Sequence, residues 1–101
     1  MISSLLRGTA KIETKKEGGI FSRKEVQYFT AEIRNNSLLA KAKDIKVKVT
    51  LLSKTKSEIG DIEFTIYEFI EPGQSKIIRK EVDVSDDVAE FSWDVINAFA
   101  E

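Results

Sequence analysis

The chain has 101 residues, 42% of them hydrophobic, and a single proline, which fits one compact domain and leaves too little chain for a second core. Charged residues make up 33%, yet 16 Lys+Arg against 17 Asp+Glu give a net charge of −1, unlike a disordered or broadly nucleic-acid-binding chain. With neither cysteine nor histidine, the sequence excludes a disulfide, a thiolate nucleophile, a Cys/His metal site and a histidine-based triad.

Residues 1–7 read as a flexible or vector-derived start. Their apolar run holds two serines and ends at Arg7, short of the 7–15 apolar residues of a secretion signal, so neither a signal peptide nor a membrane span is expected. Thr9 to Lys15 alternates weakly between apolar and polar, and Glu17-Gly18-Gly19 supplies the conformational freedom of a tight turn. Phe29, Ala31 and Ile33 then alternate with Tyr28, Thr30, Glu32 and Arg34 up to Asn35-Asn36-Ser37, residues that end strands by bonding their own backbone.

The strongest period of two runs from Asp44 to Leu51, setting Ile45, Val47, Val49 and Leu51 against Asp44, Lys46, Lys48 and Thr50. Ser53 to Gly60 reads as a connection or a short extra strand. Ile62, Phe64 and Ile66 then alternate with Asp61, Glu63, Thr65 and Tyr67, a second half-buried strand. These two strands predict a core of Ile45, Val47, Val49, Ile62, Phe64 and Ile66, because a one-residue slip would bury Lys46 and Lys48 instead. Glu71-Pro72-Gly73-Gln74 has the make-up of a type II turn, with Ile78, Val82 and Val84 as inward positions of the strand after it.

The C-terminal segment supports two readings. Ser85, Asp86, Asp87 and Glu90 make a helix N-terminus, with Val88, Phe91, Val95 and Phe99 at helical spacing. Alternatively Ala89, Phe91, Trp93 and Val95 alternate along a closing strand, which is preferred because Phe91 and Trp93 then share a face. Six or seven short strands without βαβ spacing predict one all-β domain over residues 1–101, an antiparallel sandwich or barrel.

The order from Phe29 to Val95, with its break at Asn35-Asn36-Ser37, the strand Asp44-Ile45-Lys46-Val47-Lys48-Val49-Thr50-Leu51 and the turn after Ile70, resembles bacterial and archaeal modules of the FxLYD type, and more loosely the CARDB type. At Leu51-Leu52-Ser53 the chain departs from the FxLYD pattern, which has an aromatic and an acidic residue before a glycine. The resemblance implies an immunoglobulin-like antiparallel β-sandwich, a non-enzymatic module of a cell-envelope or extracellular protein, and no catalytic or binding residue.

Charge is uneven, +8 over residues 1–56 and −9 over residues 57–101, which in a sandwich is the pattern of opposite charges meeting across strands. Lys46 and Lys48, within a run that includes Lys41, Lys43, Lys54 and Lys56, form a candidate anion-contact face, set against the plainer reading of a solvated one. Asp83, Asp86, Asp87 and Glu90 offer oxygens but lack the spacing of a calcium loop. Asn35-Asn36-Ser37 matches a glycosylation acceptor, although turn chemistry accounts for it. The expectation is therefore a structural or protein-interaction module, monomeric or weakly oligomeric, with no enzyme activity, no cofactor, no metal and no nucleic-acid partner; the alternative is an anion-binding module.

Overall fold

The computed structural model describes residues 2–17 and 24–101, so Gly18 and Gly19 of the expected first turn, and Met1, lie outside the described residues. Six strands follow a short 3₁₀ turn at Ile2–Leu5: β1 (Leu6–Glu17), β2 (Lys24–Asn35), β3 (Ala42–Leu52), β4 (Glu58–Ile66), β5 (Ser75–Val82) and β6 (Glu90–Ala100). They form two three-stranded antiparallel sheets, ordered β1-β2-β5 and β4-β3-β6. This order is that of strands A-B-E and C′-C-F of an immunoglobulin sandwich. The all-β expectation holds, and the C-terminal segment is the closing strand rather than a helix.

Each sheet buries one face, so the alternation along β3 appears directly as burial. Ala42, Ile45, Val47 and Val49 are fully buried and Leu51 nearly so, while Lys46, Lys48 and Thr50 face outward. Strand β3 begins two residues before the regular alternation, because a bulge sets Asp44 and Ile45 opposite Ala98 alone, with Asp44 at φ 48°. The extra residue keeps both Ala42 and Ile45 inward. A second bulge places Ile96 as the surplus residue on β6, turning it outward and Ala98 inward.

Between the sheets, Phe29 of β2 is fully buried and meets three rings edge-on: Phe64 of β4 at 5.9 Å, Phe91 of β6 at 6.0 Å and Trp93 of β6 at 5.9 Å between centroids. Edge-to-face packing sets the positive rim of one ring against the negative face of another. Ile45, Val47, Val49 and Ile66 are buried as expected, but Ile62 and Phe64 are only half-buried, since β4 is an edge strand. On β5, Ile78 and Val82 point inward. Val84 lies beyond that strand, half-buried, with its N–H donating to Gln27 Oε1 at 2.8 Å.

Residues 2–7, expected to be a loose start, belong to the fold: Leu6 opens β1 and is buried, and Ile2 packs on the core. Two residues on, Gly8 lets β1 approach β2, because a Cβ there would collide with the Glu32 carbonyl.

Ser53 to Ser57 is a hairpin turn and not an extra strand. The Ser53 N–H donates to the Ser57 carbonyl and the Lys56 N–H to the Ser53 carbonyl, both at 2.9 Å, with Lys56 at φ 65°. A left-handed lysine carries a steric penalty that glycine avoids. Lys56→Gly is therefore expected to stabilise the protein by about 0.5–1 kcal/mol in urea unfolding; a loss of stability would contradict the turn geometry.

Trp93 reports on closure of the sandwich without further chemistry. Its ring lies half-buried against Phe29, so native emission should be blue-shifted from that of the unfolded chain and poorly quenched by iodide. Native emission equal to that of the unfolded chain would exclude the packing of β6 on β2.

Candidate interaction surfaces

Lys46 and Lys48 stand side by side on the outer face of β3, as the period of two requires. They are not alone there. Lys46 Nζ lies 3.9 Å from Glu63 Oε2 and Lys48 Nζ 3.9 Å from Asp61 Oδ2, both diagonal neighbours on β4, and Asp94 of β6 stands opposite Lys48. The basic first half and acidic second half of the chain thus meet across strands. All four side chains in these pairs remain 37–49% exposed, so each pair contributes well under about 1 kcal/mol and serves as solubility as much as stability. The structure keeps the two lysines together but surrounds them with carboxylates.

Asp83, Asp86, Asp87 and Glu90 lie exposed along the β5–β6 connection and the start of β6. Among the described residues no group of three or more acids converges on a point where a metal ion would sit. Asp86 and Asp87 help line an open depression of about 690 Å³ with the Ser53–Thr55 turn and Ile59. Nor is any helix among the described residues long and apolar enough to cross a membrane.

The Asn35-Asn36-Ser37 break holds the most connected polar residue described. Asn35 is fully buried. Its Nδ2 donates to the Ala40 carbonyl at 2.8 Å and the Ile70 carbonyl at 2.9 Å, while Oδ1 accepts the Ser37 N–H at 2.9 Å. Its backbone N–H donates to the Gln74 carbonyl at 3.0 Å and its carbonyl accepts the Gly73 N–H at 2.7 Å. The neighbouring Asn36 N–H reaches the Leu5 carbonyl at 2.9 Å. One dipeptide thereby ties together the chain start, the β2–β3 loop and the β4–β5 turn. That turn has the expected form, with Gly73 at φ 76° and the Gln74 N–H donating to the Glu71 carbonyl at 2.9 Å. Buried and fully bonded, the Asn35 amide is closed to a glycosylating enzyme in the folded chain.

Sequence reasoning missed what this hub supports. Leu38 and Leu39, 91% and 93% exposed, form the tip of the β2–β3 loop, and the Ser37 hydroxyl accepts the N–H groups of Leu39 at 3.4 Å and Ala40 at 3.0 Å. The only signal was a pair of leucines set just after a strand-ending break, outside any alternation.

A second surface is the outer edge of β6, which among the described residues has no strand partner on the side away from β3. The Ile2–Leu5 turn packs against β6, and beside this edge Ser4, Leu6 and Arg7 line a shallow depression with Asp94 and Val95. Towards the start of β6, Phe91 and Trp93 are half-buried at the level of Phe29, whose register partner on β1 is the half-buried Ile12. A seam therefore runs between β1 and β6, bordered by these side chains.

No family model and no curated protein matches the chain. Among solved structures, the X-ray structure of the Northeast Structural Genomics Consortium target SoR45 is similar, with a TM-score of 0.57 and 13% identity over 99% of this chain and 88% of that one. At that identity the likeness concerns the fold.

Proposed function

We propose that this chain is a non-enzymatic protein-interaction module that takes an extended segment of a partner protein along the outer edge of β6. The observation that carries this reading is the sheet order: β6 lies at the edge of the sheet β4-β3-β6, and among the described residues no strand pairs with it on the side away from β3. The seam between β1 and β6 is flanked by half-buried Phe91, Trp93 and Ile12. An added strand would bond N–H and C=O groups that β6 directs away from β3 and lay alternate apolar side chains over these three. Two of the other edge strands, β5 and β4, are less suited to a guest. Strand β5 turns Lys76 and Lys80 towards the sandwich interior at its rim, and β4 carries Asp61 and Glu63, devices that discourage strand pairing. The resemblance to immunoglobulin-like modules of envelope proteins points the same way. The anion-binding alternative is weakened by the carboxylates around Lys46 and Lys48.

Selection of displayed peptides on the protein tests this reading. Binders should alternate apolar residues, protect backbone amides of Phe91–Asp94 from hydrogen exchange, and lose affinity when N-methylated at alternate positions. Binders that protect another surface, or that tolerate N-methylation throughout, would overturn it.

A further inference from the structure

Independently of the β6 edge, the two most exposed apolar residues and several others stand at one end of the sandwich, apart from Ile59 and Ile77, which lie elsewhere. At the end where β3 begins and β2, β4 and β6 finish, Leu38 and Leu39 project almost completely into solvent. Around them stand Tyr67, 81% exposed, with Phe69 and Phe99 about half exposed. Exposed apolar groups clustered in this way mark an interaction site rather than ordinary surface.

The cations of this end complete the pattern. From Ile33 to Lys43 the chain holds Arg34, Lys41 and Lys43 and no acid. Arg7 stands directly opposite Arg34 across β1 and β2, a pairing of like charges that costs stability, with Glu32 the acid beside them on that face. Glu68 and Glu71 are engaged by Lys76 at 3.4 Å and Lys41 at 3.5 Å, Asp44 and Glu101 also stand at this end, and Glu32 and Asp94 lie next to Arg34 and Arg7. Arg7, Arg34 and Lys43 have no ion pair among the described residues.

We propose that this end docks on the surface of an anionic lipid bilayer, with Leu38 and Leu39 entering the headgroup–acyl boundary, Tyr67, Phe69 and Phe99 at headgroup level, and Arg7, Arg34 and Lys43 against lipid phosphates. A convex leucine tip needs no matching pocket in a fluid interface, and the amphipathic ring of Tyr67 favours headgroup depth while Phe69 and Phe99 add apolar area beside it. Basic side chains near an anionic surface add an attraction that salt screens. The loop is already fixed by the Asn35 and Ser37 bonds, so docking costs little ordering. A two-fold contact between the ends of two copies fits less well, because it would bring the same uncompensated cations together.

The test is co-sedimentation with vesicles of phosphatidylcholine alone and with phosphatidylserine added. As the chain has no cysteine, Asn36→Cys places a polarity-sensitive dye beside the tip. The protein is expected to bind the anionic vesicles with a blue shift of the dye. Binding should weaken at least tenfold in the Leu38→Ser/Leu39→Ser double variant and several-fold in Arg34→Gln or on raising salt from about 0.1 to 0.5 M. Because both leucines lie outside the core, the double variant should keep the Trp93 emission and melting temperature of the parent, which separates lost binding from lost fold. Absence of binding to anionic vesicles, or binding indifferent to the double variant, would overturn the proposal. So would a concentration-dependent dimer that the double variant abolishes, which would assign this end to a second copy of the chain.

Discussion

Phe29→Ala is expected to cost about 4 kcal/mol, the largest loss from any single truncation in this domain. Removing a fully buried ring from between the sheets leaves a cavity bordered by Phe64, Phe91 and Trp93, and these belong to both edge strands of the opposite sheet. The wall therefore cannot close from one side without drawing β4 and β6 together across β3. Three edge-to-face contacts at 5.9 to 6.0 Å are lost with the ring, each worth about 0.5–1.5 kcal/mol beyond the area it buries. Against a total stability of about 5–15 kcal/mol for a domain, such a change leaves a marginal fold. Phe29→Leu, which keeps most of the volume, should cost less than half as much. Urea unfolding followed by Trp93 emission reads both; a loss under about 1 kcal/mol for the alanine variant would contradict the central place of this ring.

Asn35→Ala comes second, at about 3 kcal/mol, by a different mechanism. The substitution leaves the Ala40 carbonyl and the Ser37 N–H without their partner, whereas the Ile70 carbonyl keeps the Ala42 N–H at 3.0 Å. Buried polar groups stripped of a partner cost about 1–3 kcal/mol each. Asn36→Ala, one residue on, removes only an exposed bond from Arg34 Nε at 3.2 Å and should change stability by less than about 0.5 kcal/mol. A drop in melting temperature of more than about 10 °C for the first variant and almost none for the second is the expected result. Equal behaviour of the two asparagines would show that Asn35 does not organise the loops.

How much of this was legible in the chain depends on whether the controlling contact is local. The alternations of β3 and β4, the turn at Glu71–Gln74 and the shared face of Phe91 and Trp93 follow from a period of two and from turn chemistry, and all appear in the fold. The start of β3 was read two residues late because the bulge at Asp44 breaks the period without ending the strand. Beyond Val95, the surplus residue Ile96 likewise shifts the parity, so alternation alone would have placed Asn97 inward instead of Ala98. Ile62 and Phe64 were expected to be as buried as Val47, but strand position in a sheet is a property of topology, invisible in the strand's own residues.

The interaction surfaces were less legible for the same reason. Asn35-Asn36-Ser37 announced a turn, yet which asparagine would be buried depended on the Ile70 and Gln74 carbonyls, some 35 to 40 positions away in the chain. Leu38 and Leu39 became conspicuous only when the loop was fixed around them. Lys46 and Lys48, chosen from the sequence as a basic face, acquired Glu63 and Asp61 as neighbours once β4 paired with β3.

The reading of this chain as an acceptor of an added strand depends on β6 having one paired and one open edge. Amide hydrogen exchange of the free protein, read residue by residue, measures that directly. Along Phe91–Val95, amides directed at β3 should exchange slowly and those directed away from it fast, so that protection alternates from one residue to the next. Uniform slow exchange along the whole strand would mean that the outer edge is already bonded, and would contradict the account.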